Sequence, residues 1–159
     1  MAEDLKRELP TLNTFVTLSP LPGFGRWLAG ARKGAGALPA GDRQAMRELD
    51  QAGWHEHASR SLREALSRAA IRYLFEAKDG AGKPLDPVAR FHLGNGARLE
   101  RLDWLGDVSE KGLAQGAGFM VNYLYDLDSV ERNHEVFANL GEIVASAGLQ
   151  RMQRRSVAP

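Results

Sequence analysis

"LDPVARFHLGNGARLERLDWLGDVSEKGLAQGAGFMVNYLYDL", residues 85–127, is the stretch whose reading decides the fold. Its pair Asn95-Gly96 marks a tight turn, because glycine takes positive φ without steric cost. A short turn at "PVARFHL" precedes that pair, and strands are expected near 97–104 and 119–125. In the second strand Phe119, Val121, Tyr123 and Tyr125 alternate with Met120, Asn122 and Leu124. That is the period of a strand with one face buried.

Working outward, "NTFVTL" (13–18) reads as a strand rich in β-branched and aromatic residues. It runs into "SPLPGFGRWL", where Ser19 is followed by Pro20, Leu21, Pro22 and Gly23, and helical character resumes over 24–28. Residues 29–41 are Gly/Ala-rich and read as a mobile surface loop. "DRQAMRELDQAG" predicts a short helix capped by Asp42 and ending near Gly53. A stronger helix is expected over 59–78, where Leu62, Leu66, Ala69, Ala70, Tyr73 and Leu74 share one face. At the start of the chain, "EDLKREL" reads as the end of a helix stopped by Pro10. Downstream, Asp128 and Glu131 suggest a capping box. Phe137, Leu140, Val144 and Ala147 would then form the buried stripe of one last helix ended by Gly148. The tail "RMQRRSVAP" is expected to fray. The pattern is α+β, with helices flanking a small and mainly antiparallel sheet.

Composition excludes several classes of function. The 159 residues fit one domain, and 43% hydrophobic residues can build a core. A formal net charge of +1 gives no basic field for nucleic acid. No apolar run is long enough to span a membrane. Cysteine is absent, which removes disulfides, thiolate metal sites and a cysteine nucleophile. These features point to a cytoplasmic protein with no nucleic-acid or membrane partner. There is no G-x-S-x-G elbow and no P-loop.

Four histidines remain to be weighed. His55 and His57 flank Glu56 between helices and lack a third ligand, so no metal site is expected there. His134 reads as a solvent-facing residue of the last helix. His92 lies between a helical turn and Asn95-Gly96, where a scaffold can present a general acid or base. It could equally satisfy carbonyls at a helix end. Ser19 followed by Pro20 is the ordinary grammar of a helix cap, and on local grounds capping explains it better than catalysis. Trp27, Trp54 and Trp104 read as core.

Several segments in matching order shift that balance. "LSPLPGF", "IRYLFEAK", "DPVARFHLGNGA", "DVSEKG" and "VNYLYDL" closely resemble the C-terminal part of malonyl-CoA decarboxylase. The resemblance implies a partial sheet of the GNAT type, the acyl-CoA acetyltransferase-like fold, with 1–159 as the C-terminal portion of the catalytic domain. It also implies that the N-terminal helical domain and the first half of the acyl-CoA fold, pyrophosphate cradle included, are absent. By that resemblance Ser19 corresponds to the proton acceptor, His92 to the proton donor, and Tyr125 to a tyrosine near the same pocket. All three would contact malonyl-CoA. The reaction would release carbon dioxide and acetyl-CoA, and the full-length form would be a homo-oligomer.

Such chemistry needs no cofactor and no metal, because the thioester is itself the electron sink for the carbanion. The protein must orient the carboxylate, stabilise the enolate and protonate carbon. On this reading His92 delivers the proton, while Ser19 positions substrate and histidine. The alternative is a catalytically inactive truncated fragment, a structural remnant or one piece of a split assembly. An acyltransferase of the related fold is disfavoured by "LSPLPGF" and "FHLGNG". Without the cradle, the chain on its own is expected to be weakly active or inactive.

Overall fold

The computed structural model describes residues 13–34 and 38–157. The helix end expected at "EDLKREL" lies outside the described residues, as does 35–37 of the expected loop.

β1 (Thr14–Pro20) places Phe15, Thr17 and Ser19 on its inner face, and leaves Val16 and Leu18 exposed. α1 (Phe24–Lys33) follows at once, turning Phe24, Leu28 and Ala31 inward at helical spacing. The Gly/Ala-rich segment is therefore helical up to Lys33, and beyond 35–37 the chain is anchored again by buried Leu38. α2 (Ala40–Ala45) leads into a 3-10 turn at Met46–Asp50, and a second such turn covers Trp54–Glu56. Asp42 is not a cap. It lies inside α2 and is buried, accepting a two-pronged bond from Arg68 at 2.7 and 3.3 Å.

α3 (Arg60–Glu76) is the expected long helix. Ser59 caps it through Leu62 N–H, and every residue of the anticipated face is buried. α4 (Pro87–Gly94) replaces the short turn expected at "PVARFHL". β2 (Arg98–Asp103), α5 (Glu110–Gly116) and β3 (Met120–Asp126) complete the decisive stretch. Among the described residues β3 is central, in a three-stranded order β1-β3-β2 that is antiparallel throughout. Val121, Tyr123 and Tyr125 face the helices, with Ser19 opposite Val121 and Phe15 opposite Tyr125.

The last helix divides in two. α6 (Val130–Leu140) stops at Gly141, which takes φ 67°, and Leu140 is exposed. Residues 144–146 run alongside β2, with Leu99 donating to Val144 and Ser146 to Leu99. α7 (Ala147–Val157) then begins, so Gly148 opens a helix instead of ending one. Residues 151–157 of the tail expected to fray belong to this helix, which is pinned by Arg72 on the Ser156 carbonyl at 3.1 Å. Asp128 does not cap α6. Ser129 holds the cap position without a side-chain cap bond, and Asp126 binds both Asp128 N–H and the Ser129 hydroxyl.

Candidate active site

The pleat of β1 decides where Ser19 points. It is the last residue of the inner face, 6% exposed, and its Oγ meets His92 Nε2 at 3.2 Å across 73 positions of sequence. Two residues earlier on the same face, Thr17 Oγ1 lies 3.1 Å from the serine oxygen. His92 is in the last turn of α4 and is 8% exposed. Its other nitrogen, Nδ1, lies 2.6 Å from the hydroxyl of Tyr125. The structure therefore brings Ser19, His92 and Tyr125 into one line.

Aromatic rings fix the imidazole from the side. Tyr123 stacks on it at 4.5 Å and 26°, and Phe15 stacks on Tyr125 at 4.7 Å and 6°. The Tyr123 hydroxyl is buried and has no hydrogen-bond partner among the described residues. The turn after His92 is clamped by α6, with Asn133 donating to the Gly96 carbonyl at 3.2 Å. His134 is exposed, as expected, and its Nδ1 also lies 2.6 Å from the Gly94 carbonyl oxygen.

Electrostatically this is a neutral site. Burial holds the His92 imidazole below its ordinary pKa, and burial also pushes the Tyr125 phenol up to about 12. A neutral imidazole carries one N–H and one lone pair, so two hydrogen-bond chains fit the geometry. In one, Tyr125 donates to Nδ1, Nε2–H donates to Ser19, and Ser19 donates to Thr17. In the other, Ser19 donates to Nε2 while Nδ1–H donates to Tyr125. A proton can pass along the line by exchanging these two chains. A cleft of about 360 Å³ opens one residue beyond Ser19, walled by Pro20, Leu21, Pro22, Phe119 and Met120 with Lys111 and Gln115. Ser19 and His92 are not among its walls.

The sequence singles out neither Thr17 nor Asp86, and it places Tyr73 and Tyr123 only on buried faces. Asp86 was open to detection, since Asp before Pro at a helix start is capping grammar. Thr17 shares the face of Ser19 by the period of two.

The comparisons with known proteins agree with one another. The family model described as the malonyl-CoA decarboxylase C-terminal domain matches residues 1–158. The chain is 46% identical to a malonyl-CoA decarboxylase of Rhodopseudomonas palustris whose crystal structure superposes with TM-score 0.89, covering 95% of this chain and 36% of that one. A malonyl-CoA decarboxylase structure from Agrobacterium vitis is also 46% identical, with TM-score 0.86 over 96% of this chain and 38% of that one. Among curated relatives, the mitochondrial malonyl-CoA decarboxylase of the goose Anser anser anser is 33% identical over 92% of this chain and 33% of its own length. The chain thus spans about a third of the length of the curated relatives it matches.

Proposed function

The chain belongs to the malonyl-CoA decarboxylase family, matching its C-terminal domain, and we propose that it supplies the proton-transfer residues for decarboxylation of malonyl-CoA. The observation that carries this is the buried line Ser19–His92–Tyr125, with contacts of 3.2 and 2.6 Å.

The reaction breaks the bond between the carboxylate carbon and the α-carbon. The electron pair moves into the thioester as an enolate, carbon dioxide leaves, and one proton must reach the α-carbon. Burial keeps the imidazole neutral in the free protein. An anionic malonyl group beside it reverses that preference, because an opposite charge within a few ångströms favours the charged ring. His92 then takes a proton as substrate binds and gives it from Nε2 to the α-carbon, returning to the neutral form. Ser19 orients substrate and ring through its hydroxyl. Tyr125 holds Nδ1 and fixes which nitrogen faces the substrate. The thioester is the electron sink, so no step calls on another group.

The three strands fit one end of a larger GNAT-like sheet, the acyl-CoA acetyltransferase type, with 1–159 as the C-terminal portion of the catalytic domain. The match of 1–158 to a C-terminal domain model supports the C-terminal placement. A homo-oligomer in the full-length form, a cytoplasmic setting and the lack of a nucleic-acid partner belong to the same proposal. Among the described residues no helix is long and apolar enough to cross a membrane.

The test is acetyl-CoA release from malonyl-CoA by the full-length protein carrying these residues. Ser19→Ala and His92→Ala are each expected to lower turnover by ~2.7–4 kcal/mol of transition-state stabilisation, about 10²–10³-fold. Near-normal turnover by His92→Ala would sink the assignment.

A further inference from the structure

Asp86 is a buried carboxylate, 1% exposed, whose two oxygens do different things. Oδ2 accepts from the N–H groups of Val88 and Ala89 at 3.2 and 3.0 Å, capping α4 with Pro87 in its first turn. Oδ1 accepts from the Tyr73 hydroxyl at 3.0 Å and from Gly23 N–H at 3.4 Å. α4 carries His92 in its last turn, and Gly23 closes the turn that leaves Ser19. One carboxylate thus joins the start of the histidine's helix to the end of the serine's turn. Tyr73 ties both to α3.

The closeness of that join is visible at Gly23. A Cβ there would stand 2.3 Å from the Tyr73 hydroxyl oxygen, so any side chain forces the turn or the phenol to move. Capping alone does not account for a carboxylate. Serine, threonine or asparagine would cap α4 as well, and one oxygen would suffice. Oδ1 faces two donors, and an amide nitrogen in its place could accept from neither.

We propose that Asp86, together with Tyr73, is a positioning residue that keeps Ser19 Oγ and His92 Nε2 within hydrogen-bond reach of each other. This rests on the decarboxylase reading above for its catalytic consequence. The geometric claim stands apart from it. Displacing a catalytic group by about 1 Å is enough to lose roughly 10²-fold in rate, and freeing either end of this link allows such a displacement.

The experiment uses the full-length protein with histidine ring nitrogens labelled by nitrogen-15. Tyr73→Phe removes one donor and leaves the cap intact. Asp86→Asn keeps a capping oxygen but loses the second acceptor. Each is expected to lower kcat for malonyl-CoA about 10- to 100-fold with KM little changed. Each should also shift the His92 ring nitrogens toward values of an imidazole released from Ser19. Gly23→Ala should impair the wild type but cost little more on top of Tyr73→Phe, because the missing hydroxyl vacates the space. If Asp86→Asn fails to fold, Tyr73→Phe and the Gly23 cycle decide the matter. Unmoved nitrogen shifts and unchanged kcat in Tyr73→Phe, with a working wild type, overturn the positioning role alone. A wild type that releases no acetyl-CoA, yet whose His92 nitrogens respond to Tyr73→Phe, overturns the decarboxylase reading and supports the positioning role.

Discussion

Tyr125 meets His92 through a 2.6 Å contact between its hydroxyl and Nδ1, on the side of the ring opposite Ser19. Among the described residues, neither ring nitrogen has a carboxylate as its hydrogen-bond partner. The usual way to orient a catalytic histidine, an acid on the far nitrogen, would favour an imidazolium. A phenol pushed up to about 12 instead stays neutral and can donate or accept. The ring is therefore oriented without being charged in advance.

Replacing Tyr125 by Phe should test this directly. The variant keeps the ring that stacks on Phe15 but leaves a buried imidazole nitrogen without its partner. A group orphaned in this way costs about 1–3 kcal/mol, so turnover of malonyl-CoA by the full-length protein should fall roughly 5- to 150-fold. Steady-state kinetics that match the wild type would remove Tyr125 from the machinery.

The same burial predicts how stability follows pH. His92 binds a proton less readily in the folded chain than its ordinary 6.5 implies. Between 6.5 and that lowered value the unfolded chain holds more protons, so its contribution is complete above about 6.5 and lost as pH falls through the window. Tyr125 acts in the opposite range. Folded, it keeps its proton up to about 12, whereas the unfolded phenol ionises near 10.0. That contribution is complete below about 10 and lost as pH climbs toward 12. Denaturant midpoints across pH should fall at both ends. His92→Gln should flatten the acid side, and Tyr125→Phe should weaken the alkaline fall. An acid side equally steep in His92→Gln would assign it to other groups.

Gly96 offers a test of the clamp behind the histidine. It takes φ 89°, and a Cβ would lie 2.3 Å from the Val130 carbonyl oxygen. Gly96→Ala adds left-handed strain to a clash with backbone, so a loss of at least ~1–3 kcal/mol in unfolding free energy is expected. Because Asn133 holds the Gly96 carbonyl, the variant should also loosen α6 from α4. Hydrogen exchange at the end of α4 should speed up while that of α3 is unchanged. Protection retained throughout α4 would mean that the turn absorbs the methyl group.

How far the sequence revealed this arrangement depends on the range of each interaction. The inner face of β3 was legible because a period of two survives any context, and α3 because its whole buried face recurs at helical spacing. Ser19, His92 and Tyr125 were reached through motif order, since local grammar favoured a cap for Ser19. What escaped depends on distant partners. Asp42 looked like a cap until Arg68, 26 positions later, took its carboxylate. Phe137, Leu140 and Val144 keep helical spacing across Gly141, yet 144–146 are extended because the outer side of β2 offers them hydrogen bonds. Asp86 reaches Gly23 across 63 positions, which no local pattern records.

Thr17 supplies the sharpest probe of the proton line. Its hydroxyl lies 3.1 Å from Ser19 Oγ, and either can donate to the other. When Nε2–H donates to Ser19, the serine proton goes to Thr17; without that acceptor, the serine turns its proton to Nε2 instead. Thr17→Val keeps the β-branched shape of the strand and removes only the hydroxyl. The net worth of one such bond is about 0.5–1.5 kcal/mol, so turnover should drop by roughly two- to tenfold, far less than for Ser19→Ala. The imidazole should also shift toward the tautomer with its proton on Nδ1, which nitrogen-15 shifts of His92 report. A loss as large as that of Ser19→Ala would make Thr17 a participant in the chemistry. Unchanged tautomers with reduced turnover would show that Thr17 acts on the substrate and not on the ring.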